Sequence, residues 1–224
     1  MTRPFTNALV VAAAVYLASA CDDSPTSGSD QIVGSGNLVT ESRDVSGFVG
    51  VVLSGVGRLT MEHGETESLT ITAEDNIMPL LVSEVSDDIL SLGPRPGTAL
   101  SPTRDIVYRL TFREMRSVVA SGVTRIEAMG IDTDLLSVVA SGVSTVSASG
   151  TADLQSVVMS GTTNYLAAEL ETRVAILDIS GLARVVINAS ERLEGAVSGS
   201  AIVEYIGSPQ ISVNVSGTAT LVPR

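Results

Sequence analysis

Ser117-Val118-Val119-Ala120-Ser121-Gly122-Val123-Thr124-Arg125-Ile126 is followed, 20 residues on, by Ser137-Val138-Val139-Ala140-Ser141-Gly142-Val143-Ser144-Thr145-Val146. The Ser-Gly pair at the centre of this segment returns down the chain. It stands at Ser121-Gly122, Ser141-Gly142, Ser160-Gly161, Ser180-Gly181, Ser198-Gly199 and Ser216-Gly217, with gaps of 20, 19, 20, 18 and 18 between serines. A self-similar period of about 20 residues predicts a solenoid, in which each repeat is one coil and buries its apolar side only against its neighbours. Around each serine the odd offsets are apolar. Val118, Val138, Val157 and Leu177 stand three places before, Ala120, Ala140, Met159, Ile179 and Val197 one before, and Ile126, Val146, Tyr165, Val185 and Val203 five after. Positions between them carry Ser, Thr, Arg, Asn and acids, the period of two of a half-buried strand.

Each coil therefore holds two clear strands meeting at Ser-Gly. Glycine there permits a bend or a positive φ that a side chain resists. A third, weaker side is read through Leu136, Leu154, Val174, Leu193 and Ile211. Six coils stacked as parallel strands make a rod on the order of 29 Å long. The expected fold is all-β, a parallel β-helix with about 20 residues per coil and an irregular N-terminal cap. Val51-Val52-Leu53-Ser54-Gly55 fits the array column for column, so Ser54 joins the repeat serines. Residues 34–70 are the expected cap, the C-terminal end looks under-capped, and the Pro-rich stretch Gly93 to Pro102 has no place in the pattern.

Residues 1–20 read as a signal peptide. Arg3 precedes an uncharged run from Ala8 to Leu17, too short to span a bilayer, and Ala18-Ser19-Ala20 is a small-x-small cleavage site. Two outcomes follow. Cleavage after Ala20 could free a soluble protein, or Cys21 could be the lipidated first residue of a bacterial lipoprotein, since Leu17-Ala18-Ser19-Ala20-Cys21 resembles a lipobox. Cys21 is the single cysteine, with no internal disulfide partner. The polar, Pro/Gly/Ser-rich segment after it reads as a flexible tether over 21–33, which favours lipidation. Residues 34–224 form one domain.

All 13 basic residues are Arg, the net charge is −12, and nucleic acid is excluded as a partner for want of basic patches. His63 is the only histidine, so no His-based triad or multi-histidine metal site can form. Six serines in register are turn formers rather than nucleophiles, because a nucleophile needs a neighbouring base. Paired acids at Asp87-Asp88, Asp132 with Asp134, and Glu169 with Glu171 are the remaining chemistry. They fall in different coils and turns, and solvated turns are the favoured reading. No catalytic residue, metal or cofactor is expected. Outward positions read as small and polar, with Ser117, Ser137 and Ser156 in one file and Arg125, Thr145, Asn164 and Arg184 in another. Such a sheet suits a glycan or another envelope protein.

Three stretches carry a family resemblance: Gly34-Ser35-Gly36-Asn37, Phe48 leading into Val51-Val52-Leu53-Ser54-Gly55, and Ala73-Glu74-Asp75-Asn76-Ile77. With Glu62-His63-Gly64, the array and Tyr205-Ile206-Gly207-Ser208-Pro209, they make the chain resemble the putative auto-transporter adhesin family with a head GIN domain. The resemblance implies a right-handed parallel β-helix at the cell surface or in the periplasm, and brings no established catalytic residues. The expected function is a non-enzymatic, lipid-anchored envelope interaction module. The alternative is a carbohydrate-active enzyme, a polysaccharide lyase or hydrolase, which requires at least two carboxylates and an Arg converging on one side face. Stacking of coil ends into homo-oligomers is a third possibility.

Overall fold

The computed structural model describes residues 31–224; the expected signal peptide, Cys21 and most of the tether lie outside them. The described chain is a β-solenoid of about five turns with roughly 20 residues per coil. Its elements are β1 (Ile32–Val33), β2 (Leu38–Arg43), β3 (Gly50–Leu53), β4 (Val56–His63), β5 (Ser68–Glu74), a 3-10 turn at Met78–Leu80, β6 (Leu81–Ser86), β7 (Ile89–Pro94), β8 (Leu100–Ser101) and β9 (Val107–Phe112). The array follows as β10 (Ser117–Ala120), β11 (Val123–Ala140), β12 (Val143–Met159), β13 (Thr162–Ile179), β14 (Leu182–Val197), β15 (Ser200–Ile206), β16 (Gln210–Val215) and β17 (Thr220–Pro223).

From β10 upward every pairing is parallel, and on both sides of the Ser-Gly corner the register is unbroken, so like residues lie over like there. One file runs Leu59, Ile126, Val146, Tyr165, Val185, Val203, and none of these is more than 1% exposed. Full burial of each such side chain contributes roughly 1.5–3 kcal/mol. A coil alone has only one wall, so the stabilisation exists only in the stack.

The Ser-Gly corner does not interrupt the ladder. Ser141 N–H donates to Ala120 O at 2.9 Å and Val143 N–H to Gly122 O at 2.8 Å, and the pattern repeats at each coil. Three serine hydroxyls, Ser54, Ser180 and Ser198, donate to the carbonyl of the coil below at 3.2–3.3 Å. The corner glycines all have positive φ, between +72° and +94°. A Cβ on Gly142 would lie 2.6 Å from Gly122 O. The glycine therefore answers two demands at once, a left-handed turn and contact with the coil beneath.

The third side departs from the sequence reading. In the observed register Leu136 lies over Gln155, then Ala175, Leu193 and Ile211, whereas Leu154 and Val174 belong to the neighbouring file with exposed Leu135, in which Leu154 is half-buried and Val174 buried. Bulges after Ala128, Ser147 and Ala167 shift the count by one or more residues between coils. Gln155 is fully buried there. Tyr165 donates to its Oε1 at 3.1 Å, and its Nε2 donates to Thr172 Oγ1 at 2.8 Å. Thr172 in turn donates to Asn188 O at 2.5 Å. Burial pushes the Tyr165 phenol well above its ordinary range, so it remains a donor.

The cap also differs from residues 34–70. Strands β3 and β4 are a regular coil, paired above with β10 and β11. Beneath them lie β7 and β9, which come later in the chain. Antiparallel β6 on β7, and β5 on β9 with β2 outside it, then close the end. Phe48, Ile77, Met78, Phe112 and Met115 fill this layer. The Gly93 to Pro102 stretch now has a place. Gly93 stacks against Ser54 at the corner, and the chain then leaves the ladder before Ile106 O accepts from Arg58 N–H at 2.9 Å. On the way Leu100–Ser101 pairs with Ile32–Val33, residues counted with the tether from sequence.

Two of the sequence stretches noted above bind each other. The buried Glu74 carboxylate accepts from Gly36 N–H (2.7 Å), Thr103 N–H (2.9 Å), Thr103 Oγ1 (2.5 Å) and Arg104 N–H (3.4 Å). Asn76 Oδ1 accepts from Ser35 N–H, and Asn76 Nδ2 donates to Val33 O. Burial opposes the Glu74 charge, but these donors outweigh it and hold the carboxyl below its ordinary value of 4.5. A depressed carboxylate contributes stability present above pH 4.5 and lost as pH falls through its folded value. Cap unfolding, followed by amide exchange at residues 34–37 and 103–104, is therefore expected to accelerate on acidification. Glu74→Gln should raise that exchange at neutral pH and flatten its acid dependence. An unchanged acid limb in the variant would refute the assignment.

Candidate functional site

Two surfaces carry chemistry. The first is a side face formed where β11, β12 and β13 bend. Asp132, Thr151, Glu171 and Asn188 lie in one file of the ladder. Two places further along, Asp134, Asp153 and Arg173 occupy successive coils, and Glu191 follows. All of these but Glu191, together with Glu114, line a shallow groove of about 720 Å³. Arg173 Nε donates to Asp153 Oδ1 at 3.3 Å, and Nη1 donates to both Glu191 oxygens at 3.0 and 2.9 Å. Glu191 first and then Asp153, by hydrogen bond and charge, hold the guanidinium above its already high ordinary value. Asp132 accepts from Thr151 Oγ1 at 3.0 Å.

Two of the three acidic pairs thus contribute to one face, which sequence spacing placed in separate coils and turns. In a stack with a period of 19 to 20 residues, positions that far apart in the chain become neighbours about 4.8 Å apart. Glu169 is not on this face: its groove, about 550 Å³, is shared with Glu127, Arg184 and Arg224. Asp87-Asp88, with φ of 50° and 62°, is the two-residue turn between β6 and β7. His63 closes β4 and stands edge-on to Phe112, ring centroids 6.0 Å apart. Asp132, Asp134, Asp153 and Glu171 are all solvent-exposed, whereas a general acid is kept protonated by a desolvating wall. Among the described residues no group of three or more His, Cys, Asp or Glu side chains is arranged to hold a metal ion.

The second surface corrects the expectation of a small, polar exterior. Outward positions two places after the corner serines carry Val56, Val123, Val143, Thr162 and Leu182 in consecutive coils. Val123, Val143 and Leu182 are each 57% exposed. On the other side of the corner, two places before the serines, Val52, Val119, Val139 and Val158 form a second rank. The serine files at 117, 137 and 156 and the Arg/Thr/Asn file lie outside these ranks. Thr162 interrupts the first rank, and Val52, Val119 and Val139 of the second are half-buried, with Val158 40% exposed; an exposed aliphatic rank of this kind is unusual on a solvated protein. The signal was present as Val-Val doublets before the Ser-Gly pairs at Ser54, Ser121, Ser141 and Ser160, and as Val56, Val123, Val143 and Leu182 after the pairs at Ser54, Ser121, Ser141 and Ser180. Alternation assigns such outward members to solvent without regard to their type.

The chain matches the family model described as "Putative auto-transporter adhesin, head GIN domain" over residues 47–209. It is similar in fold to a putative adhesin from Bacteroides fragilis NCTC 9343, with 22% identity, TM-score 0.70, and 86% of this chain and 100% of that chain covered. A putative adhesin from Parabacteroides merdae ATCC 43184 gives 18% identity and TM-score 0.58, covering 87% and 99%. A putative lipid binding protein from Parabacteroides distasonis ATCC 8503 gives 19% and 0.50, also covering 87% and 99%. No curated protein matches the chain.

Proposed function

The chain belongs to the auto-transporter adhesin, head GIN domain family, and from that premise we propose that it is a non-enzymatic envelope protein, exported and lipid-anchored through Cys21, that holds another envelope protein by its aliphatic corner. The observation that carries this reading is the exposed aliphatic rank Val56, Val123, Val143 and Leu182 after the Ser-Gly corner, with a partly exposed valine rank before it. Among the described residues every Phe and Tyr is buried or half-buried. The surface thus offers no aromatic plate for a sugar ring, while rigid Val and Leu suit an apolar protein patch. A lipid at Cys21 fits a lone cysteine ahead of a polar tether.

A second reading, a carbohydrate-active enzyme, is favoured by one observation: carboxylates and Arg173 converge on a single groove. One set of measurements separates the two. Mass spectrometry of the processed N-terminus should find acylated Cys21, and Cys21→Ser should release the protein from membranes. Cosedimentation with isolated envelopes should fall about tenfold in Val143→Asp/Leu182→Asp and hold within about twofold in Asp132→Asn/Glu171→Gln. The converse pattern, with reducing sugar released from envelope polysaccharide, would establish the enzyme instead.

A further inference from the structure

The two ends of the solenoid differ in kind. At the N-terminal end the outermost strands, β2 and β6, run antiparallel to their neighbours and carry Glu41, Arg43 and Glu84. Charged edge strands resist pairing with another chain. At the other end β16 pairs only with β14, and β17 only with β15. Each leaves one edge of backbone N–H and C=O groups without a strand partner among the described residues. Above them the interior files surface: Val213, Ala219, Leu221 and Tyr205 are half-buried, and Ile211, which lies over fully buried Leu193, is 44% exposed.

The composition of this last circuit is unlike that of the coils below. Residues 205–223 contain no Asp, Glu, Lys, Arg or His, in a chain with 25 acidic and 13 basic residues. The preceding circuit carries Arg184, Glu191, Arg192 and Glu194. An end coil that simply faced water would be expected to carry a polar, charged outer face.

We propose that this uncharged circuit is a self-association face, on which two copies of the chain stack end to end about a two-fold axis. Their β16 and β17 edges pair across it, and the open ends of the interior files meet. The charge pattern selects the occupant. Two molecules of net charge −12 repel over most of their surface, and the neutral circuit is where copies can approach without placing like charges together. The charged, antiparallel N-terminal edges select against head-to-tail addition, so the contact closes as a dimer and does not grow into a filament. This contact is separate from the aliphatic corner, which runs along the side of the rod and stays free in the dimer.

Sedimentation of the purified protein across a concentration series should show a particle of twice the chain mass. Ser212→Lys/Asn214→Lys places charges on exposed edge positions without touching the interior files. It should raise the dissociation constant about tenfold or more while leaving the circular dichroism spectrum unchanged. In a Cys21→Ser background, Ser212→Cys should form an intermolecular disulfide and Ser42→Cys, on β2, should not. A monomer at all concentrations would overturn the proposal. So would a ladder of higher masses, a dimer indifferent to the lysines, or equal cross-linking at positions 42 and 212.

Discussion

Gly142→Ala is expected to lower stability by about 3–5 kcal/mol, and Gly97→Ala by only about 1–2 kcal/mol. Both glycines sit at nearly the same dihedral, φ +74° and +79°. An alanine held in the left-handed region costs roughly 1–2 kcal/mol at either position. The difference lies in what stands beneath. A Cβ on Gly97 meets nothing within 4 Å. On Gly142 it would lie 2.6 Å from Gly122 O, 3.0 Å from Gly122 N and 3.1 Å from Gly122 Cα, all backbone atoms that cannot rotate away. The coil must rise locally, which breaks the hydrogen bonds from Val143 N–H to Gly122 O and from Thr162 N–H to Gly142 O, each 2.8 Å long. Net losses of about 1 kcal/mol per bond add to the dihedral strain. Thermal denaturation should show a fall of about 10 °C or more for Gly142→Ala. Because coils are stable only through their neighbours, amide exchange should spread from residues 120–123 and 140–143 in both directions along the array. Equal losses at positions 97 and 142 would mean that the dihedral alone, and not the contact between coils, demands glycine.

This contrast locates what the sequence could disclose. The period of Ser-Gly marks and the odd-offset aliphatic residues define the coil, because each coil repeats its predecessor's inward set and stacking converts that into files. The reading weakens on the third side. Bulges after Ala128, Ser147 and Ala167 absorb the variation between 18 and 20 residues, yet counted back from the next serine the third side is constant: five places before Ser141, Ser160, Ser180, Ser198 and Ser216 stand Leu136, Gln155, Ala175, Leu193 and Ile211. Leu154 and Val174 are the larger aliphatic neighbours of Gln155 and Ala175, and choosing by apolarity puts them in the file where a polar and a small residue stand. The cap was illegible for a different reason: β7 and β9 are inserted beneath a coil that precedes them in the chain, and no local pattern announces such a return. The acidic face is a case of proximity created by stacking. Asp132 and Thr151, or Asp153 and Arg173, are distant in sequence and adjacent in space. The aliphatic ranks were legible as residues but not as a surface, since alternation records direction and ignores the character of what points outward.

Tyr165→Phe and Gln155→Leu are each expected to destabilise the protein by about 2 kcal/mol, while the double variant should lie within about 1 kcal/mol of the parent. Gln155 interrupts an otherwise aliphatic file, and a buried amide is tolerated only when its groups are bonded. Its oxygen accepts from the Tyr165 hydroxyl and its nitrogen donates to Thr172, with all three residues buried. Within the array from β10 onward Tyr165 is the one aromatic member of its file, which meets a second, Tyr108, only beneath Leu59, and Ala175, on the opposite wall of the same circuit, is the small residue of the third side. Removing the hydroxyl leaves Oε1 buried without a donor, and removing the amide strands the phenol in the same way. Removing both leaves two apolar side chains facing each other, and the Thr172 hydroxyl keeps its bond to Asn188 O. The cycle should therefore give a coupling of about 3 kcal/mol, measured by denaturant unfolding. Additive losses in the double variant would show that Tyr165 and Gln155 are held by shape alone. The deviation from the repeat would then be two independent packing choices and not one polar tie between successive coils.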